Sequence, residues 1–222
     1  MLHPTILAQG IVPHRHALCV VSDIGSYGIR RLEEDLFEIK SYTIGMIEAV
    51  KKIAIVGPES TGKSTISASL ASHYQTFWVP EYAREYCAAL NAPCSWQDEI
   101  NIFKGQLELE DRLLPSTNRL LICDTTFLTV KIWSDHIFGK SPQEVLDELP
   151  KRPYDLYLLM DIDLPWQEDP LRDFPDLREH FMETWHKELL SLHATYAVIS
   201  GSDDQRFRNA VNYIDEILLK AR

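Results

Sequence analysis

The chain has 222 residues, enough for one substantial core and short for two. Its composition, 45% apolar and 25% charged, is that of a globular protein in water, and no apolar run reaches the length of a membrane span. A formal net charge of −11, with no basic run to offset it, argues against a nucleic-acid partner and favours a small ligand; the cytoplasm is the expected location.

Residues 1–45 show weak periodicity, with a candidate strand at Leu18–Val21 and a candidate short helix from Ile29 to Ile39. They do not read as a signal peptide, because His14, Arg15 and His16 interrupt the apolar stretch. Met46 stands just ahead of the first convincing strand. Two readings are open for this segment, a poorly ordered extension or sequence upstream of a true start at Met46. Residues 46–222 are expected to form one domain.

Lys52–Val56 is a short apolar run rich in β-branched residues, as a buried parallel strand should be. Gly57-Pro58-Glu59-Ser60-Thr61-Gly62-Lys63-Ser64 follows and matches G-x-x-x-x-G-K-[ST], the phosphate-binding loop of nucleotide-handling proteins. The glycines let the backbone curl so that N–H groups point inward at an anion. Lys63 adds a mobile positive charge, and the Ser64 hydroxyl can ligate magnesium. Ile66, Leu70 and Tyr74, with Ser67 and Ala71 beside them, make one face of a helix whose positive end meets the same phosphates.

Thr76–Val79 reads as a second strand, ending in Val79-Pro80-Glu81-Tyr82-Ala83-Arg84-Glu85-Tyr86. Glu81 there can orient a substrate hydroxyl, Arg84 can pair with it or face a phosphate, and the aromatics can stack on a flat ring; the alternative is a surface turn with an ordinary ion pair. Ile100, Phe103, Leu107 and Leu114 line a helix. Leu120–Cys123 is a third strand ending in Asp124, placed as a Walker B acid that holds magnesium opposite Ser64, or else as a helix cap. Phe127, Val130, Trp133 and Ile137 fit another helix, and Ser141-Pro142-Gln143-Glu144 reads as a capping box.

Leu156–Met160 is a fourth strand. The polar, proline-rich stretch from Asp161 to Arg178 can close as a lid, with Arg172 and Arg178 as cations for the transition state; the alternative is a solvated loop. Trp166 either belongs to the core or caps the pocket. Tyr196–Ile199 is a fifth strand, and Phe207, Val211, Ile214 and Leu218 mark a closing amphipathic helix. Such alternation predicts an α/β fold, a parallel sheet with helices on both faces and the ligand beyond the carboxyl ends of the strands. The histidines do not cluster, and Cys19, Cys87, Cys94 and Cys123 form no C-x-x-C pair; all four read as free thiols, Cys123 in the core.

The phosphate loop, Glu81-Tyr82-Ala83-Arg84-Glu85-Tyr86, Asp124-Thr125 with Thr129 downstream, and the Asp163-to-Arg172 stretch together resemble the ribosylnicotinamide kinase domain of NadR-type proteins, of the P-loop NTPase, AAA_28-like family. The resemblance spans Lys51 to the C-terminus. It implies a three-layer sandwich with a five-stranded parallel sheet in the order 2-3-1-4-5 and a mobile lid. It implies an ATP- and magnesium-dependent kinase domain over residues 46–222, passing the γ-phosphate to nicotinamide riboside. On that resemblance Gly57, Pro58, Glu59, Ser60, Thr61, Gly62, Lys63, Ser64 and Thr65 hold ATP. Glu81, Tyr82, Arg84 and Trp166 would then serve the riboside. Lys63, Glu81, Asp124, Arg172 and Arg178 would carry the transfer, with Ser64 and Asp124 on the metal. The chain departs from the family pattern at Pro80, where relatives often have Trp, at Thr126, often acidic, and at Pro170, where Gly is common. Two other functions stay open: a kinase of another nucleoside or nucleotide, or a regulatory P-loop ATPase. A GTPase is not expected, since no N-K-x-D motif occurs.

Overall fold

The computed structural model describes residues 49–220. The readings made for residues 1–45 and for Met46 lie outside that range. Five strands, β1 (Lys51–Val56), β2 (Trp78–Val79), β3 (Leu120–Asp124), β4 (Leu156–Met160) and β5 (Tyr196–Ile199), form one sheet in the order β2-β3-β1-β4-β5. Every pairing is parallel, so each strand must be followed by a crossover. Of the seven helices among the described residues, the first six lie in the crossovers and the last follows β5: α1 (Lys63–Tyr74), α2 (Tyr82–Ala88), α3 (Trp96–Leu113), α4 (Leu128–Phe138), α5 (Gln143–Glu148), α6 (Arg178–Ser191) and α7 (Asp203–Lys220).

The buried stretches Ile53–Val56, Leu120–Cys123 and Leu156–Met160 of the central strands are apolar because both faces of the sheet are covered. Alternate residues of each strand go to opposite layers. Ala54, Val56, Leu121, Cys123 and Leu159 pack with Phe103 of α3, Phe127 and Leu128 beside and in α4, and Trp185 and Leu189 of α6. Ile53, Ile55, Ile122, Leu158 and Met160 pack with Ile66 and Leu70 of α1 and with Ala210 and Ile214 of α7. The result is a three-layer sandwich. Register places Ile55 beside Asp124, so the loop after β1 and the acid ending β3 emerge side by side at the carboxyl edge of the sheet. Among the described residues no helix is long and apolar enough to cross a membrane.

Three local expectations are corrected. The second strand pairs over only two residues instead of four: it is an edge strand, Phe77 and Trp78 are exposed, and Pro80 has no N–H to continue the ladder. Ser141 does not cap α5, whose N-cap position is Pro142; its hydroxyl donates to Asp135 Oδ1 at 2.7 Å instead. The capping box that does form is at α3, where Ser95 accepts from the N–H of Asp98 and the Asp98 carboxylate accepts from the N–H of Ser95 at 2.8 Å. Finally, Ile137 lies exposed in the last turn of α4, just before Gly139 ends the helix at φ 71°.

Candidate active site

The loop from Gly57 to Gly62 leaves the buried strand β1 and turns into α1. Gly57 has φ 132°, and a Cβ there would sit 2.8 Å from the main-chain oxygen of Met160, so the turn against β4 admits only glycine. Gly62, at φ 79°, precedes the first turn of α1, whose amides have no intrahelical acceptor and face the loop. Lys63 Nζ donates to the carbonyls of Gly57 (3.1 Å) and Pro58 (2.9 Å), which holds the ammonium across the loop. Thr61 Oγ1 closes the same turn by donating to Pro58 O at 2.8 Å.

Asp124 is 2% exposed. Its Oδ1 has no hydrogen-bond partner. Burial pushes its pKa up to about 6, the neighbouring Ser64 hydroxyl opposes this, and the nearby Glu81 carboxylate adds to the rise. The helix that follows takes its cap from elsewhere: Thr126 Oγ1 accepts from the N–H of Leu128 at 3.3 Å. An orphaned carboxylate oxygen beside a serine hydroxyl is a donor pair that suits magnesium, which is commonly held by one or two protein oxygens plus substrate phosphates. Among the described residues no cluster of three or more His, Cys, Asp or Glu offers another cation site.

Across from the loop, Glu81 stands at the N-cap of α2. Arg84, one turn on, has Nε 4.0 Å from Glu81 Oε2 and donates through Nη1 to Asp169 Oδ2 at 3.0 Å. The turn is fixed from α3 by Gln106, which accepts from Tyr82 N–H (2.9 Å) and donates to Pro80 O (3.4 Å). The Tyr82 ring packs on the bare backbone of Gly105, where a Cβ would come within 2.1 Å of it.

The stretch from Asp161 to Leu177 folds over the loop and is tied to it. Glu59 Oε2 accepts from Asp173 N–H at 2.7 Å, and Ser60 Oγ accepts from Gln167 N–H at 2.8 Å. Arg178 donates to Leu164 O (2.9 Å) and Ser60 O (3.3 Å), and Arg172 donates to Gln167 O at 2.6 Å. Burial pushes the Glu59 carboxyl up to about 7, against the Asp173 N–H and Lys63, which favour its charged form. The side chains of Glu59 and Ser60 thus hold the lid.

A cavity of about 1390 Å³ runs from the phosphate loop along the wall built by α2, α3 and α4. Lys63, Ser64, Glu81, Arg84 and Arg172 all line it; Tyr82, Asp124, Trp166 and Arg178 are not among its lining residues, and Trp166 Nε1 is buried without a partner. Sequence reasoning missed two contributors. Arg206 of α7, 5% exposed, donates to the carbonyls of Thr61 (3.3 Å), Asp161 (3.1 Å) and Gly201 (2.7 Å) and pairs with Asp163. A cation one turn before Ala210 on the inward face of that helix was the available signal. Glu99, 3% exposed in the first turn of α3, also lines the cavity. Chemically, the arrangement can grip a polyphosphate at one end and present a carboxylate to a second molecule at the other.

Trifunctional NAD biosynthesis/regulator protein NadR of Escherichia coli (strain K12) is 26% identical over 180 residues, covering 78% of this chain and 44% of its own length. The chain therefore spans less than half the length of that curated relative. A crystal structure of NadR protein in complex with NR superposes with a TM-score of 0.64 at 22% identity, over 76% of this chain and 52% of that one. Thymidylate kinase from Candida albicans superposes with a TM-score of 0.54 at 16% identity, over 76% and 92%. Likeness at these identities is a likeness of fold. The family model AAA_28, an AAA domain, matches residues 52–206. With its Gly57–Ser64 loop, its 2-3-1-4-5 sheet and that match, the chain has the P-loop NTPase fold and belongs to the AAA_28 family.

Proposed function

We propose that this chain is an ATP-dependent small-molecule kinase that phosphorylates the 5′-hydroxyl of nicotinamide riboside, giving nicotinamide mononucleotide. The observation that carries the reading is one cavity lined by both the phosphate loop and Glu81, with Glu81 close enough to Asp124 to raise its pKa. Phosphoryl transfer asks a protein for positioning and charge neutralisation more than for covalent chemistry. Gly57 to Thr65 would hold the triphosphate, with Lys63 moving from its main-chain carbonyls to the outer phosphates. Ser64 and Asp124 would hold magnesium, which when bound neutralises phosphate charge. Glu81 would accept a hydrogen bond from the acceptor hydroxyl and orient it. Arg172 and Arg178 would face the charge that develops during transfer, and the lid would exclude water so that the hydroxyl outcompetes it. Gly201, held by Arg206, would lie near the adenine. The relatives named NAD biosynthesis/regulator protein and the structure bound to NR support nicotinamide riboside as the acceptor.

A coupled assay of ADP release, with ATP, magnesium and a panel of ribosides, tests this. Nicotinamide riboside should give the highest kcat/KM. A higher value for another nucleoside would make the chain a different nucleoside kinase, and ATP hydrolysis unaffected by any acceptor would make it a regulatory ATPase.

A further inference from the structure

Glu99 is a buried carboxyl that the fold does not require. The N-terminus of α3 already has its capping box from Ser95 and Asp98, so a second carboxylate one residue further on adds little to the cap. A buried carboxylate is ordinarily matched by a cation, because losing water costs far more than an isolated charge recovers. Here the side chains that act on Glu99 are the Cys94 thiol, which favours its charged form, and the Asp98 carboxylate, which opposes it; burial raises its pKa to about 7. Its side chain nonetheless lines the cavity.

The position of Glu99 along the wall is informative. Glu81 acts electrostatically on both Asp124 and Glu59, which puts it at the phosphate end. Glu99, Ile102 and Gln106 line the cavity along one face of α3, and Gln106 fixes the turn that carries Glu81, so Glu99 stands about two helical turns, roughly 10 Å, further along the wall. An acceptor whose hydroxyl meets Glu81 can therefore extend its ring along α3 toward Glu99. Trp133 also lines the cavity, its indole stacked at 5.1 Å on Phe181. A carboxylate and an aromatic ring in one cavity suit a flat cation.

We propose that Glu99 is the specificity residue of the acceptor pocket, pairing its carboxylate with a permanently cationic ring on the riboside and so disfavouring neutral rings. This rests on the kinase reading above and deepens it. The pyridinium of nicotinamide riboside carries such a charge; uracil, cytosine and adenine do not at neutral pH. The cation supplies the partner that the protein withholds, so the carboxylate is fully ionised only when the right ring is present.

The test compares nicotinamide riboside with its 1,4-dihydro form, which has the same substituents on an uncharged ring. The unmodified protein should prefer the cation at least tenfold in kcat/KM, mainly through KM. In Glu99→Gln that preference should fall by roughly ten- to a hundredfold, the lower part of the range for close charge pairs, with the KM for ATP unchanged. Glu99→Asp should keep part of the preference. As a check on the unmodified protein, the 1-methylnicotinamide cation should compete at least tenfold better than neutral nicotinamide, and equal potency would overturn the proposal. An unmodified protein that turns over nicotinamide riboside, with the same ratio in Glu99→Gln, overturns the role of Glu99 alone. A protein inert toward both ribosides but active on a neutral nucleoside overturns the kinase assignment and this inference together.

Discussion

Lys63 owes its position to two main-chain carbonyls and not to a carboxylate, so its loss leaves no buried charge stranded. Lys63→Ala should therefore fold normally and lose at least about a hundredfold in turnover, as removal of a transition-state charge partner does; melting temperature and ADP release measure the two separately. Gly57→Ala is the opposite case. A methyl group 2.8 Å from Met160 O at φ 132° strains the backbone whatever the ligand, and a loss of about 2 kcal/mol is expected, read as a fall in melting temperature of roughly 4–8 °C. The buried carboxyls set the pH response. Glu59 and Glu99, both near 7, and Asp124, near 6, all titrate above their ordinary values because burial disfavours the charge. The folded state thus holds these protons more tightly than the unfolded chain does. Their contribution to stability is full below about pH 4 and is lost as pH rises through 6 and 7. Ligand-free protein should melt at progressively lower temperature from pH 5 to pH 8. Glu99→Gln should flatten that slope and stabilise the protein at pH 8 by on the order of 1–3 kcal/mol.

At the level of elements, Ser95 and Ser141 do different work. Both Ser95 and Ser141 precede a helix in a sequence that fits the capping rule, but only Ser95 closes a box, because Asp98 reaches back to its N–H. Ser141 instead serves Asp135 and the carbonyl of Lys131, tying α5 to α4. Ser95→Ala should cost about 1 kcal/mol in denaturant unfolding, and Ser141→Ala less. Helix α3 matters twice over: Gln106 in its middle fixes the turn carrying Glu81, and Glu99 at its start enters the cavity. Helix α7 likewise reaches the loop through Arg206, whose guanidinium satisfies three carbonyls from three separate segments.

On the scale of the whole molecule, the lid is coupled to the phosphate loop by side chains of the loop itself. Glu59 and Ser60 accept from lid amides, and Arg84 reaches Asp169 from the opposite wall. A lid so anchored senses the loop's conformation, and closing it removes water from the phosphates. Glu59→Ala should loosen that link while leaving the main-chain cradle intact. The expected outcome is a several-fold rise in ATP hydrolysed per phosphorylated acceptor, measured as the ratio of ADP to phosphorylated product. An unchanged ratio would show that the lid does not guard the reaction against water.

The linear chain was enough to identify the phosphate loop, the apolar parallel strands, the acid ending β3 and the burial of Cys123. Each of these depends on neighbours in sequence: glycine spacing, β-branched runs, an acid at a strand's end. The contacts of Glu59 with the lid, the cation at Arg206 and the burial of Glu99 in the cavity wall were not legible, because each depends on what distant segments bring alongside. In one dimension Glu99 is an ordinary acid in the first turn of a helix, favourable to the dipole and expected in water. Only packing α3 against α4 and the 87–94 segment took its solvent away, and the free energy of a charge is set by its surroundings far more than by its neighbours along the chain.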